Sequence, residues 1–533
     1  METALPDGPG RTSRLLLLLI LTVAAVLLIT GLRKDLPFAA EVDEAEFACK
    51  AIRMAQTGSL NPHWFGHPGS TIIYPLAGLY AVMHKVAPSW GVLEAPPRGR
   101  STFERKAWPF YLAGRVVNII YMLGCILMLW LVGRRAFDNA TALIGAWLFA
   151  TTPFVYAYAS IIRTDLAATF FGLLCLWFCL RHIEKPSMQN RILAGLAAGL
   201  ALSSRYFMAA MLPVLPLAEM AAARNYPASS RRVLRWIGWS AALGLIAFIG
   251  FALTSPYAII RYDVTLKNLA RESRHTHLGA DGLTPAGNLL WYFGTLLPHH
   301  ISWAAILLMA PGLLFVLRQR QPGSLILAAN AGLFMVAICL PHLHWDRWII
   351  PALPLLFLFA AWAMVVIVRW CRERWPNLLP HPALALTLLA LLVSTHGFAR
   401  TLRESIQYAH PGTRTAALEW VLRNVPPGSR FFQEGESVTF QDEPYVADGY
   451  YALAPQWLEQ PAQYLNYDYI IANERMFIRY FAEPERYPRE VAVYQWLFSH
   501  APLAAEFTAT PLRAGPAIRI YRVPHSESKE TTP

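Results

Sequence analysis

The sequence predicts a polytopic α-helical membrane protein of about eleven transmembrane helices, with further helices in its outer loops and a small C-terminal α/β domain. Three observations predict this. Of 533 residues, 55% are hydrophobic and only 15% are charged, against about 25% charged in an ordinary soluble domain. The apolar residues gather in runs of about 16 to 22, long enough as helices to cross a hydrocarbon core of about 30 Å. The positive charge, +12 net, falls mainly in alternate short loops between those runs. That is the asymmetry which sets membrane orientation, and it accounts for the basic balance without a nucleic-acid partner.

In order, the spans are expected at 14–31, 111–133, 140–159, 166–183, 190–204, 206–222, 235–254, 300–317, 325–341, 347–369 and 382–397. The first is followed by Asp43 and Glu44 rather than a small-residue cleavage site, which reads as a retained span and not a signal peptide. The fifth is short and the sixth begins almost at once after Ser203-Ser204-Arg205, so the count turns on that pair. Charge decides it. With eleven spans, Arg134 and Arg135, Arg181, Lys185 and Arg191, Arg224, Arg231, Arg232 and Arg235, Arg318 and Arg320, and Arg369, Arg372 and Arg374 all fall on the inner side. Three long segments, 32–110, 255–299 and everything from 398, then share the outer side, as a catalytic face requires.

Residues 1–397 therefore form a transmembrane domain that includes outer loops 32–110 and 255–299. Within the first loop, Ala45, Ala48, Ile52 and Ala55 recur at helical spacing until Gly58. Residues 70–84 are apolar but short and carry Pro75, which suits an interfacial or re-entrant helix, and 88–106 is rich in Pro, Gly and Arg. From 398 the composition turns polar. Thr413 to Leu422 is helical in pattern, and short apolar pieces follow at 469–472, 491–494 and 518–521. Residues 398–524 read as a small domain of helices and strands, and 525–533 as a disordered tail. Six scattered Cys, four of them in apolar runs and none in a CxxC pair, suggest buried small side chains rather than a metal site or a disulfide framework.

Phosphate-cradling glycine loops, HExxH and kinase or hydrolase motifs do not occur, so ATP is not offered as an energy source. Ionisable residues at helix ends carry the functional reading. Asp43 and Glu44 lie where the chain leaves the first span, in a loop rimmed by Trp64, Phe65 and His67. Asp165, in Arg163-Thr164-Asp165, stands where one span ends and the next begins, either as a helix cap or as a second acid. Arg205 is a lone outer cation suited to an anion such as phosphate, or a helix-end residue reaching for the interface. The run His342-Leu343-His344-Trp345-Asp346-Arg347, with His275 and His277 in the second loop, could bind phosphate or hydrogen-bond structurally. Its spacing fits no specific metal site, although a divalent metal stays open.

The VDEAEF segment at 42–47 resembles the Asp-Glu signature of the polytopic GT-C glycosyltransferases, the superfamily of dolichyl-phosphate-mannose–protein mannosyltransferases and lipid A aminoarabinose transferases. HPGSTIIYP at 67–75, RTD at 163–165, SRYF at 204–207 and HWDRWIIPALPLL at 344–356 add to the likeness, which spans most of residues 10–400. The resemblance implies an inverting transferase in a bacterial inner membrane, with its active site and C-terminal domain on the periplasmic side. A polyprenyl-phosphate-linked sugar would be the donor and a glycan, lipid or protein the acceptor. It makes Asp43 the general base, with Glu44 orienting it or the acceptor, and Asp165 a second acid whose partner is open. It places Arg205 on the donor phosphate, helped by Arg347 or His344, and leaves His67, Arg163, His275 and His277 as loop contacts to substrate.

The competing class is a transporter or flippase of a lipid-linked or anionic substrate. It would favour charges in mid-span and two similar halves, and this chain has neither.

Overall fold

Long apolar runs leave the backbone no hydrogen-bond partners but its own, so they become helices. A computed structural model describes residues 10–36, 41–87, 108–225, 232–440 and 443–523. The stretch at 88–106 and the tail at 525–533, on which expectations were placed above, lie outside the described residues.

The chain opens with α1 (Arg11–Thr30), then α2 (Val42–Thr57), α3 (Ser70–Val86) and α4 (Trp108–Ala136). Next come α5 (Asn139–Ala150), α6 (Pro153–Ala159), α7 (Asp165–Glu184), α8 (Met188–Ser204), α9 (Val214–Ala222) and α10 (Arg232–Thr254). The second outer loop holds α11 (Pro256–Ile260), α12 (Tyr262–Glu272), α13 (Pro285–Trp291) and, after a π-helical turn, α14 (Leu297–His300). Then follow α15 (Trp303–Gln319), α16 (Pro322–Cys339), α17 (Leu353–Arg374) and α18 (Pro382–Tyr408).

Among the described residues, seven helices are long and apolar enough to cross a membrane. Helices α5 and α6 add an eighth if their 64° bend counts as one broken span. The bend sits at Thr152-Pro153, where proline can begin a helix but not continue one. Two shorter apolar helices, Tyr206–Ala222 and Trp303–Gln319, fall where the sixth and eighth spans were expected. Helix α8 is rich in buried Ala and Gly, which lets α10 approach closely: a Cβ on Gly199 would lie 2.3 Å from the Ala247 carbonyl oxygen. Arginines occupy the last turns of α4, α7, α15 and α17, where the helix dipole also favours positive charge. Cys125, Cys175, Cys179 and Cys339 are buried and unbridged.

The expected boundary at 398 falls inside α18, which continues unbroken to Tyr408. Beyond it, α19 (Thr413–Asn424), α20 (Leu453–Glu459), α21 (Glu474–Phe481) and α22 (Pro488–His500) pack on a five-stranded sheet. Its strands are β1 (Arg430–Glu434), β2 (Val446–Tyr450), β3 (Tyr469–Asn473), β4 (Leu503–Phe507) and β5 (Ile518–Arg522), in the order β2-β1-β3-β5-β4. β1 runs parallel to β2 and β3, while β5 is antiparallel to β3 and β4. Two of the apolar pieces singled out above are strands. The third, 491–494, lies within α22, where Val491, Val493, Tyr494 and Leu497 form its buried stripe.

The three segments expected on one face do meet. The Phe65 N–H donates to Asn268 Oδ1 at 2.9 Å, joining the first outer loop to α12. Arg486 pairs with Asp281, joining the C-terminal domain to the second loop. Arg475 of α21 forms a bidentate pair with Glu41, at 2.8 and 3.0 Å, just before α2.

Candidate active site

Helix α2 exists because Ala48, Ala51, Ile52 and Met54 pack against Ile72, Ile73 and Leu76 of α3 and Phe110 and Tyr111 of α4. It ends at Gly58, whose φ of 68° is costly for other residues. Its first turn carries Asp43 and Glu44, where partial positive charge at a helix N-terminus favours carboxylates. Adjacent residues on a helix point about 100° apart, and these two carboxylates part company accordingly.

Glu44 is fully buried. Its carboxylate takes two bonds from Arg115 of α4, at 2.7 and 2.8 Å, and one from the Ile162 N–H at 3.1 Å. Arg115 also donates to the carbonyls of Leu32 and Lys34, at 3.1 and 2.7 Å. This arginine thus ties α1's exit, α2 and α4 together. A buried pair this well satisfied contributes modestly to stability, but removing one member strands a charge.

Asp43 faces the other way, on the wall of a cavity of about 230 Å³, and 47% of its side-chain surface remains exposed. One carboxylate oxygen, Oδ2, pairs with Arg163. Arg163 donates its Nε to Asp165 at 3.2 Å, and Asp165, the first residue of α7, sits with both oxygens within 3.0 Å of Arg205 Nη2. Arg205 Nε donates to Thr164 Oγ1 at 3.1 Å. Charges therefore alternate along Asp43, Arg163, Asp165 and Arg205. The Arg163 guanidinium, with Arg347 behind it, holds Asp43 well below the usual carboxylate range against the opposing effect of burial. Glu44, next to Asp43 in the sequence, is itself neutralised by Arg115.

One further expectation changes, and one alternative left open narrows. Arg205 is not an isolated outer cation, because it is 2% exposed and committed to Asp165 and Thr164. Asp165 is not simply a cap: Thr164 holds the N-cap position without a side-chain capping bond, and the Asp165 carboxylate goes to the two arginines.

Arg347 lines the same cavity as Asp43 and has no carboxylate within ion-pair reach among the described residues. Its guanidinium lies over the Trp345 ring at 4.6 Å, and its Nε is buried without a hydrogen-bond partner. His67 packs edge-on against Trp64 at 5.4 Å, and burial beside Arg205 and Arg347 keeps it neutral by pushing its pKa well down. His344 packs on Trp291, His277 on Trp345 and His275 on His342. None of those three histidines lines the cavity. Among the described residues no three His, Cys, Asp or Glu gather to hold a metal, and Asp43 and Asp165 are both met by arginine.

Sequence reasoning missed Arg115, Tyr158, Arg475, His300 and Glu404. An Arg inside an apolar 29-residue helix, far from Arg134 and Arg135 in its last turn, is a signal for the first. The Tyr158 hydroxyl donates to Asp346 at 2.9 Å, and Tyr158, Arg475, His300 and Glu404 all line the cavity.

Residues 110–260 match the family profile of dolichyl-phosphate-mannose-protein mannosyltransferase. The structure of ArnT from Cupriavidus metallidurans bound to undecaprenyl phosphate superposes with a TM-score of 0.52 at 13% identity, covering 94% of this chain and 97% of that one. The apo form of that protein gives 0.50 at 14% identity over the same shares. An Archaeoglobus fulgidus oligosaccharyltransferase in the apo form gives 0.49 at 14% identity, over 89% of this chain and 72% of that one. A comparison with curated proteins finds no match. The chain thus shares its fold nearly end to end with ArnT, and residues 110–260 within it match the mannosyltransferase profile.

Proposed function

We propose that this protein transfers a sugar, with inversion, from a polyprenyl-phosphate-linked donor to a periplasmic or lipid-linked acceptor. The observation that carries the reading is that one cavity holds both an open carboxylate, Asp43, and an unpaired guanidinium, Arg347. The ArnT relative binds undecaprenyl phosphate in this fold, which supports the same class of lipid donor here.

The acceptor hydroxyl enters beside Asp43, attacks the anomeric carbon, and the bond from that carbon to the phosphate oxygen breaks. The acceptor's proton passes to Asp43, and the lipid phosphate leaves as an anion. A base and a leaving group on opposite faces of the ring give inversion. Arg163 keeps Asp43 ionised and fixes one of its oxygens, leaving the other for the acceptor. So stabilised a carboxylate is a weak base. It takes the proton late, once bond formation has made the acceptor oxygen acidic, and its charge supports the positive ring until then. Arg347 is the residue placed to take the departing phosphate, a match of guanidinium to phosphate oxygens. Arg205 acts one step back, holding Asp165 and through it Arg163. Glu44 holds α2 in place through Arg115.

The membrane is read as a bacterial inner membrane with the cavity facing the periplasm, because the Arg-rich helix ends mark the opposite side. A reporter active only in the cytoplasm, fused after residue 420, is expected to be silent. The function itself is tested by incubating purified protein in detergent with a panel of undecaprenyl-phosphate-linked sugars and an envelope acceptor fraction. Acceptor-dependent release of undecaprenyl phosphate is expected for at least one donor. Binding of one or more donors with release from none of them overturns the transferase reading.

A further inference from the structure

The cavity wall carries a second group of residues that this chemistry leaves unused. These are Phe154 of α6, His300 closing α14, Glu404 and Tyr408 on α18, and Lys34. Two polar atoms there, His300 Nδ1 and Glu404 Oε2, are buried with no hydrogen-bond partner among the described residues. Among the described residues Glu404 forms no ion pair, and Lys34 lies over the Tyr408 ring at 4.3 Å rather than on a carboxylate. The His300 ring packs on Phe154 at 5.2 Å. Buried polar atoms are nearly always satisfied, so orphans that share one cavity wall point to a ligand that satisfies them. Arg347 Nε, of a residue on the wall of the same cavity, is a third.

The chemistry of that group is specific. It offers a ring nitrogen, a carboxylate oxygen and an ammonium, set beside the faces of Phe154 and Tyr408. A phosphate would suit Lys34 but would be repelled by Glu404, and a purely apolar group would leave all three polar groups unsatisfied. A sugar ring meets every demand, since its hydroxyls both donate and accept while its C–H face packs on an aromatic ring. Position agrees. With the donor phosphate at Arg347 and its anomeric carbon beside Asp43, the attached ring must extend into the adjoining space. We propose that His300 and Glu404, with Lys34, form the subsite that holds the hydroxyls of the donor's sugar and so set which sugar is transferred. This rests on the transferase reading above.

The test compares two probes on full-length protein in detergent: undecaprenyl phosphate alone, and undecaprenyl phosphate linked to whichever of mannose, glucose, arabinose or 4-amino-4-deoxyarabinose the wild type binds. Glu404→Gln and His300→Ala stand on different helices, so a folding failure in one leaves the other to decide. Each is expected to weaken the sugar-linked lipid about tenfold, the loss of one hydrogen bond to a charged or buried group. Neither should change affinity for the bare lipid, whose retained binding also reports a folded protein. Equal loss for both probes in both variants, or no loss for the linked lipid in either, overturns the subsite. A wild type that takes the bare lipid but none of the linked sugars instead overturns the transferase reading, and the subsite with it.

Discussion

Asp43 at the membrane domain's cavity and Glu434 at the end of β1 are both carboxylates held within protein, and they are driven in opposite directions. Asp43 has Arg163 against it and Arg347 nearby, and it stays ionised far below the usual range. Glu434, 1% exposed, has only neutral partners: the Tyr494 hydroxyl and the N–H groups of Asn473 and Leu453. Burial pushes it up to about 7. The difference teaches that burial alone does not decide a carboxylate's charge here. An arginine beside it does for Asp43, and arginines likewise meet Glu41 on the cavity wall and Asp165 and Glu44 nearby, whereas Glu404 on the same wall has no ion pair among the described residues.

The sharpest way to break that arrangement is Arg115→Ala, which strands Glu44 in a dry site. Losing one member of a buried pair costs about 3–5 kcal/mol, so thermal unfolding in detergent is expected to fall markedly. A double variant, Arg115→Leu with Glu44→Leu, should recover much of it. No difference between the single and double variants would deny that the stranded charge matters.

Asp43→Asn comes next. It keeps the size and part of the Arg163 contact but removes the charge. Turnover is expected to fall by roughly 10²-fold or more, the usual scale for a general base, with donor affinity nearly unchanged. Because Arg163 holds the wild-type carboxylate ionised, its loss of activity on acidification should come from another group, and kcat/KM should stay level from pH 7 down to the ordinary carboxylate range. An acid limb that vanishes in an Arg163→Gln variant would show the opposite coupling. Arg347→Ala is expected to weaken donor binding about tenfold to a hundredfold, as loss of a charged hydrogen bond does, with Arg347→Lys in between. Unchanged titration with undecaprenyl phosphate would remove Arg347 from the site.

What could be read from the sequence followed from the kind of signal. Among the described residues seven helices, or eight with the bent pair, are long and apolar enough to cross a membrane, against the eleven expected. The apolar helices and the position of Asp43 were nonetheless legible because apolar length is a local property and Asp43 stands just beyond the first such run. The roles of its neighbours were not, because charge partners are set by tertiary contact. Glu44 meets Arg115 71 positions away, and Glu41 meets Arg475 434 positions away. Arg205 looked isolated for the same reason, since its partner Asp165 lies 40 positions earlier. The grouping of His300 with Glu404 was invisible because α14 and α18 become neighbours only in the folded bundle. The helix at 488–500 was hidden by a short apolar run that fits a strand or a helix stripe equally well.

The smallest expected effect sharpens the comparison from the Glu434 side. Its ordinary value is 4.5 and its folded value about 7, so across that window the folded domain keeps a proton that the unfolded chain has released. Stability must then fall as pH rises from about 5 to 8, the reverse of a carboxylate held by arginine, whose contribution is lost as pH falls. A shift of this size corresponds to at most about 3 kcal/mol. Glu434→Gln removes the titration. Its amide oxygen can accept from Asn473 and its NH₂ can donate to the Tyr494 oxygen, while the longer 3.3 Å bond from the Leu453 N–H is lost. That loss costs about 1 kcal/mol, so the net gain at pH 8 is on the order of 1–2 kcal/mol. Unfolding of the C-terminal domain within the full-length protein, followed between pH 5 and 8, is expected to slope downward in the wild type and to be level in Glu434→Gln. Equal slopes would mean that Glu434 stays ionised despite having no cation beside it, and the rule drawn from Asp43 would fail.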